Sequence, residues 1–249
     1  MEARSTVLDW PTSVGWTITQ GWLTAEDEQK SYAILFFSWI FLNFGLNPIS
    51  MKQLGILVFD EVEVLDFAGP FEVFSVANQL AEYKLIQVHV LSLDALEIRA
   101  KNGLHVVADQ RLDQVGQLDY LVLPGGDGSK MVIQNQPGMA LLQTQIQQAR
   151  WSMSVCSGSR ILGKAGFLEH KPYCTHHEVF GSMQEIVPTG IPQPNLRFTQ
   201  SDDRIWTAAG ISAGIDLALH LTELTFGKEL ALATATYMEY TPYQHTHDR

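Results

Sequence analysis

From Met51 onward, short apolar runs alternate with longer segments that are apolar on one side only. The runs at 54–59, 86–93, 104–107 and 120–123 have the length of strands, and the first and last are almost purely apolar. Strands buried on both faces of a parallel sheet have this composition, because helices cover each face. The pattern therefore predicts a largely parallel sheet whose first strand is 54–59.

The intervals between these runs have the pattern of helices. Pro70 occupies a position suited to the first turn of a helix, whose buried side includes Phe71, Val73 and Phe74. Later elements are predicted as a helix over 137–150, a strand that ends near Cys156 with a helix after it, a strand over 205–210, and helices over 212–226 and 228–240. This alternation predicts an α/β fold, a doubly wound, mostly parallel sheet with helices on both faces.

Residues 1–50 lack this order, although they hold four of the six tryptophans and a nearly unbroken apolar run at 33–46. That run has 14 residues, which is short of the ~20 that a helix needs to span a bilayer. Acidic residues precede it where a secretory signal carries positive charge. A membrane span and a signal peptide are thus disfavoured, while a peripheral anchor or a packed helix stays open. We interpret 1–50 as an extension outside the functional domain at 51–249, with translation starting at Met51.

Charge and cysteine content narrow the class of partner. The formal net charge is -11 and the 16 basic residues are scattered, whereas binding to nucleic-acid phosphates needs clustered Lys and Arg. Two cysteines, Cys156 and Cys174, are too few for a disulfide framework. We therefore expect a cytoplasmic protein that has no membrane span and whose partner is a small molecule rather than a nucleic acid.

The segment MSVCSGSRILG at 153–163 carries the strongest chemical signal. Its apolar start predicts a buried strand, and the small residues after Cys156 predict a tight turn with free amide donors at the start of a helix. A thiol at such a position has a lowered pKa, which favours nucleophilic catalysis or selective oxidation. The geometry also resembles the nucleophile elbow of serine hydrolases. The residues alone leave open that Cys156 is a buried, unreactive cysteine.

Other candidate residues follow predicted strands at the carboxyl ends, where ligands bind to open α/β sheets. Asp66 lies after the first strand between two apolar residues, and partial burial there raises a carboxyl pKa and suits the group to proton donation. Gly125 and Gly126 follow the central strand. The N–H of Gly126 and that of Ser157 are expected to form a two-donor oxyanion pocket. Taken separately, an acidic residue at this position is also typical of an ordinary helix cap, and a glycine pair is also typical of an ordinary turn.

Together these motifs resemble the ThiJ/PfpI superfamily, which shares the flavodoxin-like fold of class I glutamine amidotransferases, over nearly all of 51–243. The motifs are GILVF at 55–59, LDFAGP at 65–70, LPGG at 123–126, VCSGS at 155–159, TH at 175–176 and GISAGID at 210–216. Within the superfamily, the loop at 65–70 and the elbow at 155–159 are most similar to isonitrile hydratases and to the ligand domains of AraC-type regulators.

The resemblance implies an enzyme, without cofactor or metal, that hydrates isonitriles to N-substituted formamides. In that reaction Cys156 attacks the isonitrile carbon and Asp66 donates a proton. The residues implied on the substrate side are Gly125, Gly126, Ser157 and His176. Asp216, at the predicted start of a helix, is interpreted as an acid that satisfies local amides. The resemblance also implies a homodimer.

Residues that depart from the superfamily's motifs narrow the range of activities that the resemblance implies. Ser157 stands where the intracellular proteases place a histidine, and His176, His177 and Glu178 lie in the wrong place to serve a glutamine amidotransferase. The regulators carry a C-terminal helix-turn-helix, and this chain ends before one would begin, so we expect no DNA binding. Two alternatives stay open, namely a redox- or ligand-sensing protein and an enzyme acting on another small electrophile such as a glyoxal.

Overall fold

The computed structural model describes residues 51–243, so the predictions for 1–50 lie outside the described residues. In the described part, eleven strands and seven α-helices follow in the order β1 (Lys52–Val58), α1 (Val64–Leu80), β2 (Ile86–Ser92), β3 (Glu97–Arg99), β4 (His105–Val107), β5 (Gln110–Arg111), β6 (Tyr120–Leu123), α2 (Ser129–Val132), α3 (Gln136–Gln148), β7 (Trp151–Ser154), α4 (Ser159–Lys164), β8 (Pro172–Tyr173), α5 (Phe180–Ile186), β9 (Ile191–Pro192), β10 (Phe198–Gln200), β11 (Ile205–Ala208), α6 (Ala213–Phe226) and α7 (Lys228–Tyr237). None of the helices described is both long and apolar enough to cross a bilayer.

Seven strands form the central sheet in the order β10-β11-β7-β6-β1-β2-β5. Every neighbouring pair is parallel except β10 with β11. The predicted fold class, a doubly wound and mostly parallel sheet with helices on both faces, is confirmed. The chain leaves β1 toward β2 on one side and later toward β6 on the other, so the winding reverses at β1. Ligands of such sheets bind at the carboxyl edge near this switch point.

The centre of the sheet is a rigid apolar platform for that edge. Every residue from 54 to 59 is buried. Trp151 of β7 stacks on Tyr120 of β6 with ring centroids 4.4 Å apart, and on Phe74 of α1 at 5.6 Å. Aromatic side chains of this size dominate core stability, so this stack fixes the starts of β6 and β7 against α1, at the edge of the sheet opposite the carboxyl ends.

Predicted elements agree with the structure to within about three residues at each end, but the start of the first helix was wrong. Helix α1 begins at Val64, so Pro70 lies in its interior rather than in its first turn. Because Pro70 has no N–H, the carbonyl of Asp66 lacks its usual intrahelical donor. Burial of apolar residues on both sides of Pro70 overrides the propensity against an interior proline. Asp66 is therefore held by the first turn of a helix and not by a loop.

Candidate active site

Cys156 lies in a sharp turn between β7 and α4. Its φ is 55°, in the left-handed region, which costs a non-glycine residue about 1–3 kcal/mol. Bonds to both neighbouring strands hold the turn, because the N–H of Cys156 donates to the carbonyl of Ala209 at 2.8 Å and that of Val155 to Leu123 at 3.0 Å. A short 3-10 turn then leads into α4. This is the expected strand–turn–helix elbow, with its strain at the cysteine.

Asp66 contacts this turn from the first turn of α1. Its side chain is fully buried, and Oδ2 accepts the N–H of Gly125 at 2.9 Å. Oδ1 accepts no N–H or O–H from residues 51–243, and the thiol of Cys156 is the side-chain donor that acts on this carboxyl. Burial raises the pKa of Asp66 to about 7, against the opposing effect of the Gly125 hydrogen bond. The predicted upward shift of the Asp66 pKa is confirmed.

The thiol of Cys156 departs from the prediction. Burial, followed by the negative charge of Asp66, raises the pKa of Cys156 to about 12, although the N–H groups of Ile211 and Ser157 lower it. The expected lowering by a helix N-terminus is thus wrong in this environment. Helix α4 has only six residues, and burial of the thiol, together with the neighbouring charge of Asp66, outweighs so short a dipole.

Cys156 and Asp66 accordingly behave as one titrating pair. A carboxylate beside the thiol keeps the thiol protonated, and a protonated carboxyl removes the charge that opposes the thiolate. Between about pH 7 and about pH 12, the pair therefore holds one proton and one negative charge. In the tautomer with the proton on Asp66, the N–H groups of Ser157 and Ile211 stabilise the thiolate. That tautomer presents a nucleophile and an acid together.

The two glycines after β6 are needed for close approach of the backbone. A Cβ on Gly125 would lie 2.5 Å from the N of Ser157 and 2.9 Å from Oδ2 of Asp66. Gly126 has a φ of 119°, and a Cβ there would lie 2.3 Å from the carbonyl oxygen of Glu61. Larger residues would separate the carboxyl from the elbow, so these glycines determine the shape of the site.

The expected oxyanion pair needs correction. The N–H of Gly126 donates to Oγ of Ser157 at 2.9 Å, so it does not point at a substrate in this arrangement. The Ser157 hydroxyl donates back to the carbonyl of Gly126 at 3.2 Å. The N–H groups that act on the sulfur are those of Ser157 and Ile211.

Ile211 was missed by sequence reasoning. It lies after β11, has a φ of 42° and directs its N–H toward the cysteine. Its motif, GIS at 210–212, was part of the resemblance. The available signal was that β11 ends at the same edge of the sheet as β7.

Arg160 was also missed. It is 8% exposed, and its guanidinium donates to the hydroxyls of Ser129 at 3.1 Å and Ser182 at 3.3 Å. No carboxylate within residues 51–243 forms an ion pair with it. Burial lowers the pKa of Arg160, and the negative charges that oppose this are those of Asp127 and ionised Cys156. Arg160 is thus a buried cation close enough to the elbow to interact with ionised Cys156.

His176 also lies beside the elbow, but its imidazole packs on a different segment of the chain from the one that Asp66 contacts. The preceding Thr175 donates its hydroxyl to the carbonyl of Cys156 at 3.0 Å. The imidazole packs against Gly210, where a Cβ would lie 2.6 Å from Cδ2, and Nδ1 accepts the N–H of Glu178 at 3.3 Å. His176 therefore covers the turn that presents Ile211, and its contact with substrate stays a prediction.

The fold and this site place the protein among doubly wound α/β proteins that carry a cysteine at a strand–turn–helix elbow. It belongs to the DJ-1/PfpI family, whose family model matches residues 52–224. This membership confirms the resemblance expected from the motifs.

Relatives within the family have different functions. Isonitrile hydratase of Pseudomonas putida is 32% identical over 190 residues, which are 76% of this chain and 79% of that protein. The HTH-type transcriptional regulator GbdR of Pseudomonas aeruginosa is 30% identical over 194 residues. Those residues are 78% of this chain but 51% of the regulator, so the chain spans about half of its length.

A solved structure supports the fold independently. A ThiJ/PfpI family protein from Pseudomonas syringae matches with a TM-score of 0.70 and 24% identity, over 80% of this chain and 79% of that one. At this identity the likeness establishes the fold alone, and the chemistry must be inferred from the residues of the site.

Proposed function

We propose that the protein is a cofactor-independent hydratase that converts isonitriles to N-substituted formamides. The observation that carries the proposal is the buried Asp66 carboxyl beside the Cys156 thiol at the elbow, where burial raises the pKa of both groups. The similarity to the Pseudomonas putida isonitrile hydratase supports the substrate class. An acid with a pKa near neutrality is suited both to donate and to recover a proton at pH 7.

In the first step, the Cys156 thiolate attacks the terminal carbon of R–N≡C, and a C–S bond forms. Asp66 gives its proton to that carbon, which leaves a thioimidate, R–N=CH–S–Cys156, and an Asp66 carboxylate. The N–H groups of Ser157 and Ile211 hold the thiolate before attack. Because the isonitrile is neutral, burial of the pair does not oppose its binding.

In the second step, Asp66 accepts a proton from water while the hydroxyl adds to the thioimidate carbon, and the nitrogen receives that proton. The tetrahedral adduct, R–NH–CH(OH)–S–Cys156, then collapses. Its C–S bond breaks toward sulfur and the hydroxyl proton passes to Asp66, which releases R–NH–CHO. Thiolate and protonated carboxyl are regenerated, so one water is consumed per isonitrile with no net redox change.

The proposal is tested by incubating the full chain with cyclohexyl isocyanide and following N-cyclohexylformamide by proton NMR. Cys156→Ala is expected to abolish turnover. The matched control is Cys174→Ala, because Cys174 is equally a buried free thiol but lies outside the elbow, and it should keep most of the activity. Melting curves verify that both variants fold. Absence of formamide from the parent protein, or equal rates in the two variants, contradicts the proposal.

A sensing function is the second candidate, favoured by the similarity to the regulator GbdR. Two amide donors directed at the sulfur suit a sulfinate as well as a thiolate. Intact mass after mild hydrogen peroxide tests this, with an expected gain of two oxygens at Cys156. No gain at Cys156 removes the redox form of this candidate.

A further inference from the structure

Arg160 keeps most of its hydrogen-bonding capacity unused beside the elbow. A guanidinium has five N–H donors and a fixed positive charge. Within residues 51–243, one nitrogen donates to the hydroxyl of Ser129 and another to that of Ser182, and both acceptors are neutral. Buried charges in proteins are normally paired with an opposite charge. Arg160, which is only 8% exposed, therefore has the properties of a cation whose anion comes from a bound molecule.

The side chain of Arg160 extends toward the cysteine. Arg160 follows Cys156 by four residues, in the helix that begins directly after the turn, and helical side chains lean toward the helix N-terminus. The hydroxyl of Ser129, which accepts Nη1 of Arg160 at 3.1 Å, lies 3.4 Å from the hydroxyl of Ser157. The guanidinium is thus two hydrogen-bonding distances from the residue next to Cys156. It is close enough to contact the far end of a small molecule bound at the sulfur.

The nearby carboxyl groups leave the charge of Arg160 available. Asp127 is within electrostatic range of Arg160, but it forms ion pairs with Lys101 at 3.4 Å and with Lys130 at 3.0 Å. Asp66 carries its proton below a pKa of about 7 and is then neutral. On a chain whose formal net charge is -11, the surroundings of Arg160 are a local exception that favours an anion.

We infer that Arg160 binds a carboxylate carried by the molecule that reacts at Cys156. A carboxylate matches the fork of N–H groups on a guanidinium, and such charge-assisted hydrogen bonds are roughly twice as strong as neutral ones. The substrate class, which rests on the proposed function, then narrows to isonitriles that bear a carboxylate a few bonds from the isonitrile carbon. The assignment of Arg160 itself rests on geometry and charge and does not require turnover.

Alkylation of Cys156 tests the carboxylate site without turnover. The full chain with Cys174→Ser is treated at pH 6 with iodoacetate, an anion, or with iodoacetamide, its neutral analogue, and intact mass gives each rate. The ratio of the two rates cancels any effect of a variant on thiolate formation. Arg160→Met should lower the iodoacetate-to-iodoacetamide ratio about fivefold. Arg160→Lys should keep most of the ratio, because it retains the charge.

Arg150→Met is the matched control. It removes the same charge, but Arg150 is an exposed residue just before β7, at the edge of the sheet opposite the elbow, so the ratio should not change. Melting curves establish that each variant is folded. An unchanged ratio in Arg160→Met, or an equal fall in Arg150→Met, overturns the assignment.

Turnover then tests the substrate class. 3-Isocyanopropionate and its methyl ester differ in charge and little in size, and formamide release gives kcat and KM for both. The parent protein should prefer the carboxylate, and Arg160→Met should reduce this preference roughly 10- to 100-fold, mainly through KM. Equal use of the two compounds overturns the carboxylate class and leaves the hydratase proposal standing. Turnover of neither compound, with an alkylation ratio that still depends on Arg160, instead refutes the hydratase and supports the carboxylate site.

Discussion

Two buried aspartates show what separates a reactive carboxyl from a structural one. Asp66 and Asp216 each lie in the first turn of a helix that follows a central strand, and each is at most 4% exposed. Asp66 accepts one backbone N–H and faces a thiol. Asp216 accepts Nε of Arg197 at 2.8 Å, the hydroxyl of Tyr240 at 2.9 Å and the N–H of Tyr243 at 2.9 Å.

The partners of Asp216 also correct the expectation that it satisfies local amides. They come from the residue that precedes β10 and from the segment after α7, so this carboxylate joins distant parts of the chain. A buried charge that is paired and hydrogen-bonded is fixed in one protonation state. No cation among residues 51–243 forms an ion pair with Asp66, and its proton is free to move to the neighbouring sulfur. The chemically active acid is therefore distinguished by oxygens that lack a full set of hydrogen-bond and ion-pair partners, and not by burial.

The largest expected effect is on turnover. Asp66→Asn should lower kcat/KM for an isonitrile by about 10²–10⁴, the usual range for loss of a general acid-base group. Asp216→Asn should change it less than about threefold per folded molecule, because Asp216 does not contact the elbow. Formamide production at equal folded concentration checks both. Comparable losses in the two variants would erase the distinction drawn between the two acids.

Stability should depend on pH through Asp66. Its pKa is about 7 in the folded protein against 3.8 for the unfolded chain, so the folded state binds the proton more tightly. Its contribution to stability is complete below pH 4 and is lost as pH rises through 7, by up to about 4 kcal/mol. Asp66→Asn has no titrating carboxyl at this position and does not lose this stability. Its free energy of unfolding in urea should therefore rise relative to that of the parent protein from pH 4 to 8. A constant difference between the two would mean that Asp66 is not held protonated.

Asp216→Asn should instead destabilise the fold. It leaves the Arg197 guanidinium, which is 28% exposed, without its carboxylate. Breaking a buried pair costs about 3–5 kcal/mol, and partial exposure of Arg197 reduces this to about 2–3 kcal/mol. Urea unfolding at pH 7 measures it. Asp216→Asn with Arg197→Met should recover part of the loss, and no recovery would show that the pair itself is not the cause.

A smaller effect is expected at Arg160, which differs from Arg197 because no carboxylate in the described part of the chain pairs with it. Arg160→Met keeps the volume but removes the cation behind the elbow, so thiolate formation should be less favourable and turnover about tenfold lower. Arg160→Lys should restore a part of the rate, since it returns the charge. A Met variant as active as the parent, with an unchanged pH profile, would limit Arg160 to packing.

Sequence reasoning recovered the fold because burial on both faces leaves a plain signal. The runs at 54–59 and 120–123 have almost no polar positions, and both are strands of the sheet centre. Edge elements carry no such signal. Strand β5 is the polar pair Gln110–Arg111, and α5 buries Met183 alone, so neither was predicted.

The site was recovered in its residues more than in its electrostatics. A small-residue turn after a strand predicts an elbow, and an acid between apolar residues predicts a raised pKa. The pKa of Cys156, however, depends on Asp66, which is distant in sequence and close in space. The N–H of Gly126 likewise has a partner, Ser157, that only the folded chain brings near. Contacts between strand ends, rather than local motifs, determine both.

The pH dependence of Cys156 alkylation tests the shared proton most directly, because it needs no substrate. In a Cys174→Ser background, the rate of iodoacetamide modification is followed by intact mass from pH 5 to 10. We predict a rise with a midpoint near 7 in the parent and in Asp216→Asn. In Asp66→Asn the midpoint should move above about 9, because burial still raises the pKa of the thiol and no carboxyl shares its proton. The same midpoint with and without Asp66 would contradict the account.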